Sequence, residues 1–241
     1  MSTIAIYSLK GGVGKTTLAV NLAWSAAIQS SRRTLLWDLD PQAASSFLLT
    51  LNADVPKHHG LAQSIFAKDV APETLIEKTA IPRLDLLGAD SSLRGLDLLF
   101  HEMDKKKRLQ KLLAGLRKDY DRILLDCPPG LTETTEQVMR AADLIVVPVI
   151  PSPLSERAQA DVIAHLGGRT DIMPVHSMVD GRRKLHADAL ARHPDWPVIP
   201  TASQIEQVTA RRAPIGSFAP RSTGAAAFGR LWQAIERRLA A

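Results

Sequence analysis

The chain has 241 residues, of which 45% are hydrophobic and 5% aromatic, and its formal net charge is +5. This length suffices for one α/β domain, and the scarcity of aromatic residues predicts a core of aliphatic side chains. No apolar run reaches the ~18 residues that would cross a membrane, and the N-terminal residues lack the pattern of a secretory signal. The single cysteine, Cys127, excludes an internal disulfide and is typical of a reducing cytoplasm.

Short apolar runs alternate with amphipathic stretches, which is typical of parallel βα units. The predicted strands are 3–8, 34–38, 84–88, 122–126, 144–149, 172–177 and 197–200. The predicted helices are 15–29, 60–67, 104–118, 133–141, 154–166, 183–193, 203–211 and 224–239, with an irregular connection at 50–60. The pattern predicts one α/β domain over 1–241: a mostly parallel twisted sheet with helices on both faces and a ligand-binding edge at the strand ends.

The most informative stretch is 9–17, which reads LKGGVGKTT and directly follows an apolar run. Glycines at 11, 12 and 14 let phosphate oxygens approach backbone N–H groups that side chains would block. Lys15 would place an ammonium near the β- and γ-phosphates, and Thr16 would offer its hydroxyl to Mg²⁺. The start of the following helix adds a partial positive charge. These residues predict a site for a nucleoside triphosphate.

The strict pattern G-x-x-x-x-G-K-[ST] requires a glycine at position 9, where Leu9 stands. The stretch instead resembles the deviant Walker A motif of the ParA/MinD family of ATPases, and Lys10 matches the signature lysine of that family. The resemblance implies a P-loop NTPase fold with ATP and Mg²⁺ as cofactors. It also implies a homodimer with ATP sandwiched between the subunits, in which Lys10 reaches the partner's nucleotide. The residues expected to bind the nucleotide here are Lys10, Gly11, Gly12, Val13, Gly14, Lys15, Thr16 and Thr17.

The predicted strand 34–38 runs into Asp38-Leu39-Asp40-Pro41-Gln42. Two carboxylates at a strand end can serve Mg²⁺ or position a water, and they can also simply form a polar boundary that caps the next helix. The motif DLDPQ is similar to switch I of the ParA family. That resemblance implies that Asp40 orients the attacking water and that Asp38 supports the Mg²⁺ shell.

The predicted strand 122–126 ends in Asp126, followed by Cys127, two prolines and Gly130. An apolar strand ending in aspartate has the general form of a Walker B segment, in which Asp126 would hold Mg²⁺ through a water. The motif DCPPG resembles switch II of the family, and the N–H of Gly130 would then sense the γ-phosphate. Cys127 is interpreted as a small packed residue, because nothing nearby makes it a nucleophile.

The C-terminal third carries further likenesses to the family. Residues 175–185 resemble the segment where the base pocket begins, and 198–201 resemble the adenine-side segment, which implies that Met178 and Pro200 contact the nucleotide. Residues 221–228 resemble the start of the last helix. The apolar positions of that helix are typical of a helix docked on the sheet, although a membrane-surface helix, as at the end of MinD, has a similar pattern.

Two basic clusters and the net charge suggest non-specific DNA binding. The clusters are Arg182, Arg183 and Lys184, and then Arg211 and Arg212. Chromosomal members of the family often have arginines just after the adenine-side Ile-Pro, where this chain has Thr201 and Gln204. Solvated helix ends are the competing interpretation of both clusters.

The leading functional hypothesis is a ParA-type ATPase that positions DNA or protein cargo on the nucleoid, so that the protein would be cytoplasmic and nucleoid-associated. Slow hydrolysis stimulated by a ParB-like or other adaptor protein follows from the resemblance. The alternative is a MinD-like, membrane-associated regulator of division or envelope assembly. Iron-protein reductases share the loop but need two cysteines per subunit, and small-molecule P-loop ligases or kinases generally lack the signature lysine.

Overall fold

The computed structural model describes residues 1–51, 61–67, 70–103, 107–166 and 171–240. Eight strands in this part of the chain form one sheet: β1 Ser2–Ile6, β2 Thr34–Asp38, β3 Ile76–Lys78, β4 Leu84–Leu87, β5 Arg122–Asp126, β6 Leu144–Val149, β7 Asp171–Val179 and β8 Val198–Pro200. Their spatial order is β3-β4-β2-β5-β1-β6-β7-β8. Every neighbouring pair is parallel except β3 and β4, which confirms the predicted sheet.

The helices connect these strands in the alternation expected of βα units. Their bounds are α1 Lys15–Trp24, α2 Ala44–Leu49, α3 Ser64–Ala67, α4 Leu96–Met103, α5 Arg108–Leu116, α6 Glu133–Ala141, α7 Pro153–Leu166, α8 Lys184–Arg192, α9 Ser203–Arg211, α10 Ile215–Phe218 and α11 Thr223–Ala240. A π-helical turn at Ser25–Gln29 continues α1, and 3₁₀ turns occupy Pro72–Leu75 and Ser91–Gly95.

The central strands bury side chains on both faces, because successive residues point to opposite sides of a sheet. In β1, Ala5 packs into one apolar cluster while Ile4 and Ile6 pack into the other. The first cluster includes apolar residues of α3, α4, α5, α6 and α7. The second includes apolar residues of α1, α2, α9, α10 and α11. The predicted helical layers on both faces are therefore confirmed.

Several short elements differ from the sequence prediction. The edge strand β3 was not predicted, because Ile-Glu-Lys has no apolar run and its pairing to β4 is made by the backbone. The helices α2, α4 and α10 were also missed, and the predicted helix 104–118 is shorter at α5. Of the predicted helix 60–67 only α3 is helical among the described residues. Residues 52–60 of the predicted irregular connection, residue 60 of that helix and residues 104–106 lie outside the described residues.

The last helix, α11, is docked on the sheet as predicted. Phe228, Leu231, Trp232 and Ile235 are buried, with Trp232 donating a 2.8 Å hydrogen bond to Ser30. No helix in the described residues is long and apolar enough to cross a membrane.

The register of the central strands places the parts of the candidate site next to one another. Asp126 at the end of β5 is the register partner of both Ile6 at the end of β1 and Asp38 at the end of β2. The glycine-rich loop after β1 and the two strand-end carboxylates therefore meet at the C-terminal edge of the sheet, where open α/β sheets bind ligands.

Candidate functional site: a phosphate loop beside paired carboxylates

The loop between β1 and α1 has backbone conformations that favour glycine. Gly12 and Gly14 have φ angles of 71° and 91°, in the left-handed region. A Cβ at Gly11 or Gly12 would meet nothing within 4 Å, so the backbone there is open to a ligand. Ser177 of β7 anchors the loop by donating a 2.8 Å hydrogen bond to the carbonyl oxygen of Val13. The loop thus offers backbone N–H groups at a helix N-terminus, the arrangement that binds phosphate.

The two lysines of the loop have different surroundings. The Nζ atom of Lys15 donates a 3.1 Å hydrogen bond to the carbonyl oxygen of Lys10. Burial lowers the pKa of Lys15, against the raising effect of the Asp126 and Asp40 charges. The Nζ atom of Lys10 instead donates to Ser155 Oγ in the first turn of α7, at 3.4 Å. Lys15 therefore lies within the field of the carboxylates, and the Lys10 side chain lies against α7.

The carboxylates of Asp38 and Asp126 are both buried and both hydrogen-bonded to the start of α2. Asp38 Oδ2 accepts from the N–H and the hydroxyl of Ser46 at 2.9 and 2.8 Å, and its Oδ1 accepts from the N–H of Asp40 at 3.1 Å. Asp126 Oδ2 accepts from the hydroxyl of Ser45 at 2.7 Å. Burial raises the pKa of both carboxyls, and the charge of Asp126 raises that of Asp38 further.

The residues around Asp126 fit a divalent cation. Its Oδ1 is buried and has no hydrogen-bond partner among the described residues, an unfavourable state that a bound cation or its water would relieve. The Thr16 hydroxyl lowers the pKa of the same carboxyl, although burial has the larger, opposite effect. In the described part of the chain no three His, Cys, Asp or Glu side chains form a metal cluster. A carboxylate beside a phosphate loop is a fitting site for Mg²⁺, which keeps waters and takes phosphate oxygens as ligands.

Asp40 lies on the loop between β2 and α2, at the same edge of the sheet. Its Oδ1 accepts a 2.9 Å hydrogen bond from the N–H of Gln42, which forms a local turn. The carboxylate is half-buried and acts on Lys15, whose pKa its charge raises. The predicted role of Asp40 with the attacking water, and that of Asp38 in the Mg²⁺ shell, stay predictions.

Gly130 follows β5 with a φ angle of 91°, again in the left-handed region. Its carbonyl oxygen accepts hydrogen bonds from the Tyr7 hydroxyl at 2.9 Å and from the Thr135 hydroxyl at 3.2 Å. Burial raises the pKa of Tyr7 to about 12, so this phenol stays a donor. Cys127 is fully buried with a thiol pKa raised by that burial, which confirms the interpretation of a packed residue.

A cavity of about 320 Å³ opens beside the phosphate loop. It brings Met178 and Pro200 together with Gly14 and Thr17, so the two predicted base-side residues adjoin the loop. Met178 has a φ angle of 55°, an uncommon conformation for a residue other than glycine, which often marks a functional site. The remaining lining residues are Leu18, Ser177, Ile199, Thr201, Ala202, Ile205, Glu206, Thr209 and Phe228.

The first basic cluster, at the start of α8, is exposed. Arg182 pairs with Asp180 at 2.9 Å, and Lys184 pairs with Asp188 at 3.0 Å. The Arg183 side chain makes no hydrogen bond or ion pair within the described ranges, so it is the most available cation of the cluster.

The second basic cluster ends α9 and is engaged by the protein. Arg211 donates to Gln207 at 3.0 Å and lies 5.0 Å from the ring centroid of Phe218. Arg212 donates to the carbonyl oxygens of Phe47 and Thr50 at 2.8 and 3.1 Å, at the end of α2. Arg212 thus has a structural role that the sequence did not indicate.

Sequence reasoning also missed the serines that hold the site. Ser45 and Ser46 bind the two buried carboxylates, and Ser177 binds the phosphate loop. The only local signal was their position, since Ser45 and Ser46 stand three and four residues after the end of the DLDPQ motif. Serine is common in many roles, so this position alone predicts no contact.

Comparison with known proteins agrees with this geometry. A family model described as an AAA domain matches residues 1–167. The sporulation initiation inhibitor protein Soj of Bacillus subtilis is 31% identical over 92% of this chain and 93% of its own length. Several other curated relatives match over little more than half of their own length, 51–56%.

Two solved structures share the whole fold. The cell division ATPase MinD of Pyrococcus furiosus has a TM-score of 0.82 at 25% identity, covering 98% of each chain. The cobyrinic acid a,c-diamide synthase of Mycobacterium smegmatis, solved with ADP and magnesium, has a TM-score of 0.79 at 25% identity, covering 100% of this chain and 96% of its own. The family match over most of the chain, the Soj relative and the phosphate loop with two lysines lead to one assignment. This chain belongs to the ParA/MinD family of P-loop ATPases.

Proposed function

We propose that this chain is a ParA-type ATPase that couples the binding and hydrolysis of ATP to the positioning of DNA or protein cargo. One observation carries the proposal: a phosphate loop with two lysines adjoins two buried strand-end carboxylates and a base-sized cavity. The similarity to Soj over nearly the full length of both chains supports a partition-type role.

In the proposed mechanism the loop holds the triphosphate, and Lys15 exchanges its bond to the Lys10 carbonyl for the β- and γ-phosphates. Mg²⁺ bound with the nucleotide would neutralise phosphate charge, with Thr16 and Asp126 as the residues that hold it. Asp40 orients the attacking water, and the N–H of Gly130 senses the γ-phosphate. Met178 and Pro200 line the cavity that receives the base. The chemistry thus rests on positioning and charge rather than on a covalent intermediate.

Lys10 gives the proposed reaction its dependence on a second subunit. Its side chain lies against Ser155 rather than over the phosphate loop of its own chain. In an ATP-sandwich homodimer Lys10 would contact the partner's nucleotide, and hydrolysis would release the dimer. Nucleotide state then controls quaternary state. Slow turnover, accelerated by a ParB-like or other adaptor protein, completes the proposal.

Size-exclusion chromatography with light scattering tests the mechanism. Asp40→Ala should keep ATP bound but fail to hydrolyse it, so the protein should elute as a dimer in saturating ATP. Asp40→Ala combined with Lys10→Ala should bind ATP and stay monomeric, because the contact across the dimer is lost. A monomeric Asp40→Ala protein with ATP demonstrably bound would contradict the sandwich.

The ATP-bound dimer is proposed to bind DNA without sequence specificity. Such binding would make the protein cytoplasmic and nucleoid-associated. The support is the net charge of +5 and the exposed cluster Arg182, Arg183 and Lys184. Duplex DNA of mixed sequence should be shifted by the ATP-bound protein at low salt and released as salt rises. Absence of a shift at low salt would contradict the proposed DNA binding.

The alternative is a MinD-like ATPase acting at the membrane, favoured by the likeness to the Pyrococcus furiosus protein. The docking of α11 counts against a membrane role for that helix, because its apolar residues are already buried. Flotation of the ATP-bound protein with anionic vesicles separates the two proposals, since only the MinD-like protein should float.

A further inference from the structure

The first turn of α2 holds two neighbouring serines that contact different carboxylates. Ser46 binds Asp38, and Ser45 donates a 2.7 Å hydrogen bond to Asp126 Oδ2. Ser45 is completely buried, so water does not compete for this bond. A hydrogen bond between a hydroxyl and a buried carboxylate is of the strong, charge-assisted kind.

The two carboxylate oxygens of Asp126 have different surroundings. Oδ2 is occupied by Ser45, while the buried Oδ1 has no donor among the described residues. Asp126 pairs in register with Ile6, the last residue of the strand that leads into the phosphate loop, so the carboxyl lies beside that loop. A carboxylate held by one oxygen keeps its other oxygen in a defined direction, which is how residues behind a metal ligand orient it.

Chain connectivity links this contact to the loop that carries Asp40. Ser45 follows Asp40 by five positions, and the N–H of Ala43 between them donates to the Asp40 carbonyl at 2.8 Å. At the other end of α2, Arg212 donates to the carbonyl oxygens of Phe47 and Thr50. A short, hydrogen-bonded stretch of chain therefore joins Asp40 to Ser45, so the Ser45 contact links Asp126 to the segment that carries Asp40.

We infer that Ser45 is a positioning residue for magnesium: it orients Asp126 so that Oδ1 is available to the cation bound with the nucleotide, and it couples Asp126 to the Asp40 loop. This inference rests on the proposed function, because it presupposes that ATP binds with Mg²⁺ at the loop. None of the three motifs that resemble the family contains Ser45, so the assignment comes from the contact itself.

The test measures the Mg²⁺ concentration that gives half-maximal binding of a fluorescent ATP analogue. Ser45→Ala should raise this concentration at least about tenfold, the effect typical of losing a group that orients a metal ligand. Its binding of the analogue in EDTA should match wild type, because the phosphate loop is unchanged. Ser45→Thr, which restores the hydroxyl, should return the requirement to within about threefold of wild type.

Two further variants separate positioning from stability. Ser222 lies just before α11, away from the site. Ser222→Ala removes a hydroxyl that donates a 2.7 Å hydrogen bond to the carbonyl oxygen of Ala219. It should lower the melting temperature without changing the Mg²⁺ requirement. Ser45→Cys keeps the volume with a weak donor and should fall between wild type and Ser45→Ala, which provides a reading even if Ser45→Ala does not fold.

The outcomes distinguish the inference from the proposed function. An unchanged Mg²⁺ requirement in Ser45→Ala overturns the role of Ser45 alone. An equal rise in Ser45→Ala and Ser222→Ala also overturns it, because the effect would then follow from lost stability. Wild-type protein that binds no ATP analogue with or without Mg²⁺ overturns the proposed function as well.

Discussion

The ammonium of Lys15 donates a 3.1 Å hydrogen bond to the carbonyl oxygen of Lys10, which joins the two lysines of the phosphate loop. Lys15 is buried, and a buried charge requires a partner. The Lys10 carbonyl is that partner, and a phosphate would be a stronger one because it is charged. The carbonyl of Lys10 thus holds the Lys15 ammonium, while the Lys10 side chain points to Ser155 in the first turn of α7.

Lys15→Ala should abolish stabilisation by ATP. Wild type at a free ATP concentration of 100 times its Kd should gain about 2.7 kcal/mol in unfolding free energy, and the variant should gain none. Thermal melting with and without Mg²⁺-ATP measures this difference. Lys111→Ala, on the exposed face of α5, is the matched control and should keep the full shift. A normal shift in Lys15→Ala would contradict the assigned role of Lys15.

Gly14→Ala should both destabilise the protein and weaken its binding of nucleotide. The φ angle of 91° is strained for alanine, and its Cβ would lie 3.3 Å from Ser177 Oγ. We expect a loss of about 1–3 kcal/mol in unfolding free energy, measured by urea titration. Gly181→Ala is the control, since a Cβ there meets nothing within 4 Å and its φ is not in the left-handed region. Equal losses in both variants would contradict the argument.

Arg212→Ala should act on stability rather than on DNA. Arg212 holds two carbonyl oxygens at the end of α2, and its guanidinium carbon lies 4.5 Å from the ring centroid of Phe47. Its removal should lower the unfolding free energy by about 1–3 kcal/mol. The salt dependence of DNA binding by the folded fraction should be unchanged. A lower slope with unchanged stability would instead identify Arg212 as a phosphate contact.

Arg183→Ala should weaken the salt dependence of DNA binding without lowering the stability of the protein. Its exposed side chain has no partner within the described ranges, so its removal should leave the melting temperature unchanged. If Arg183 neutralises one phosphate in each subunit, the slope of log K against log salt should fall by about 1 per subunit. Fluorescence anisotropy with labelled duplex DNA over a salt series measures the slope. An unchanged slope would contradict this role and indicate that the cluster is a solvated helix end.

Glu236→Gln should show a pH-dependent loss of stability. Glu236 accepts hydrogen bonds from Arg122 at 2.7 and 3.0 Å and from Arg32 at 3.1 Å. Burial opposes ionisation of Glu236, yet the two guanidinium groups lower its pKa. The variant should lose about 1–3 kcal/mol of unfolding free energy at neutral pH, because Arg122 is buried and loses its charged partner.

The sign of the pH effect follows from the lowered pKa. The stabilisation by Glu236 is fully present above the ordinary carboxyl pKa of about 4.3 and is lost as pH falls through the lower folded value. Urea titrations across this range should therefore show the difference between wild type and Glu236→Gln shrinking toward acid. Glu133→Gln, an exposed residue at the start of α6, is the control. A difference that stays constant with pH would contradict the assignment.

The strands were predicted well because their signal is local. Apolar runs bounded by polar residues predicted β2, β5 and β6 with the observed bounds. The strand β3 and the helix α2 were missed because each is short and depends on contacts outside its own few residues. A three-residue edge strand needs β4 as its partner, and α2 needs the carboxylates of Asp38 and Asp126.

The sequence by itself determined the chemistry of this protein. The spacing of Lys10, the glycines and Lys15 is a covalent property of one loop, so the family and its ligand class follow from nine consecutive residues. Only the tertiary structure decided how that chemistry is held in place. Ser45 reaches Asp126, and Arg212 reaches α2, across separations of 81 residues and more than 160. Such contacts exist only once the sheet register is set, because single hydroxyls and guanidinium groups leave no periodic trace in the sequence.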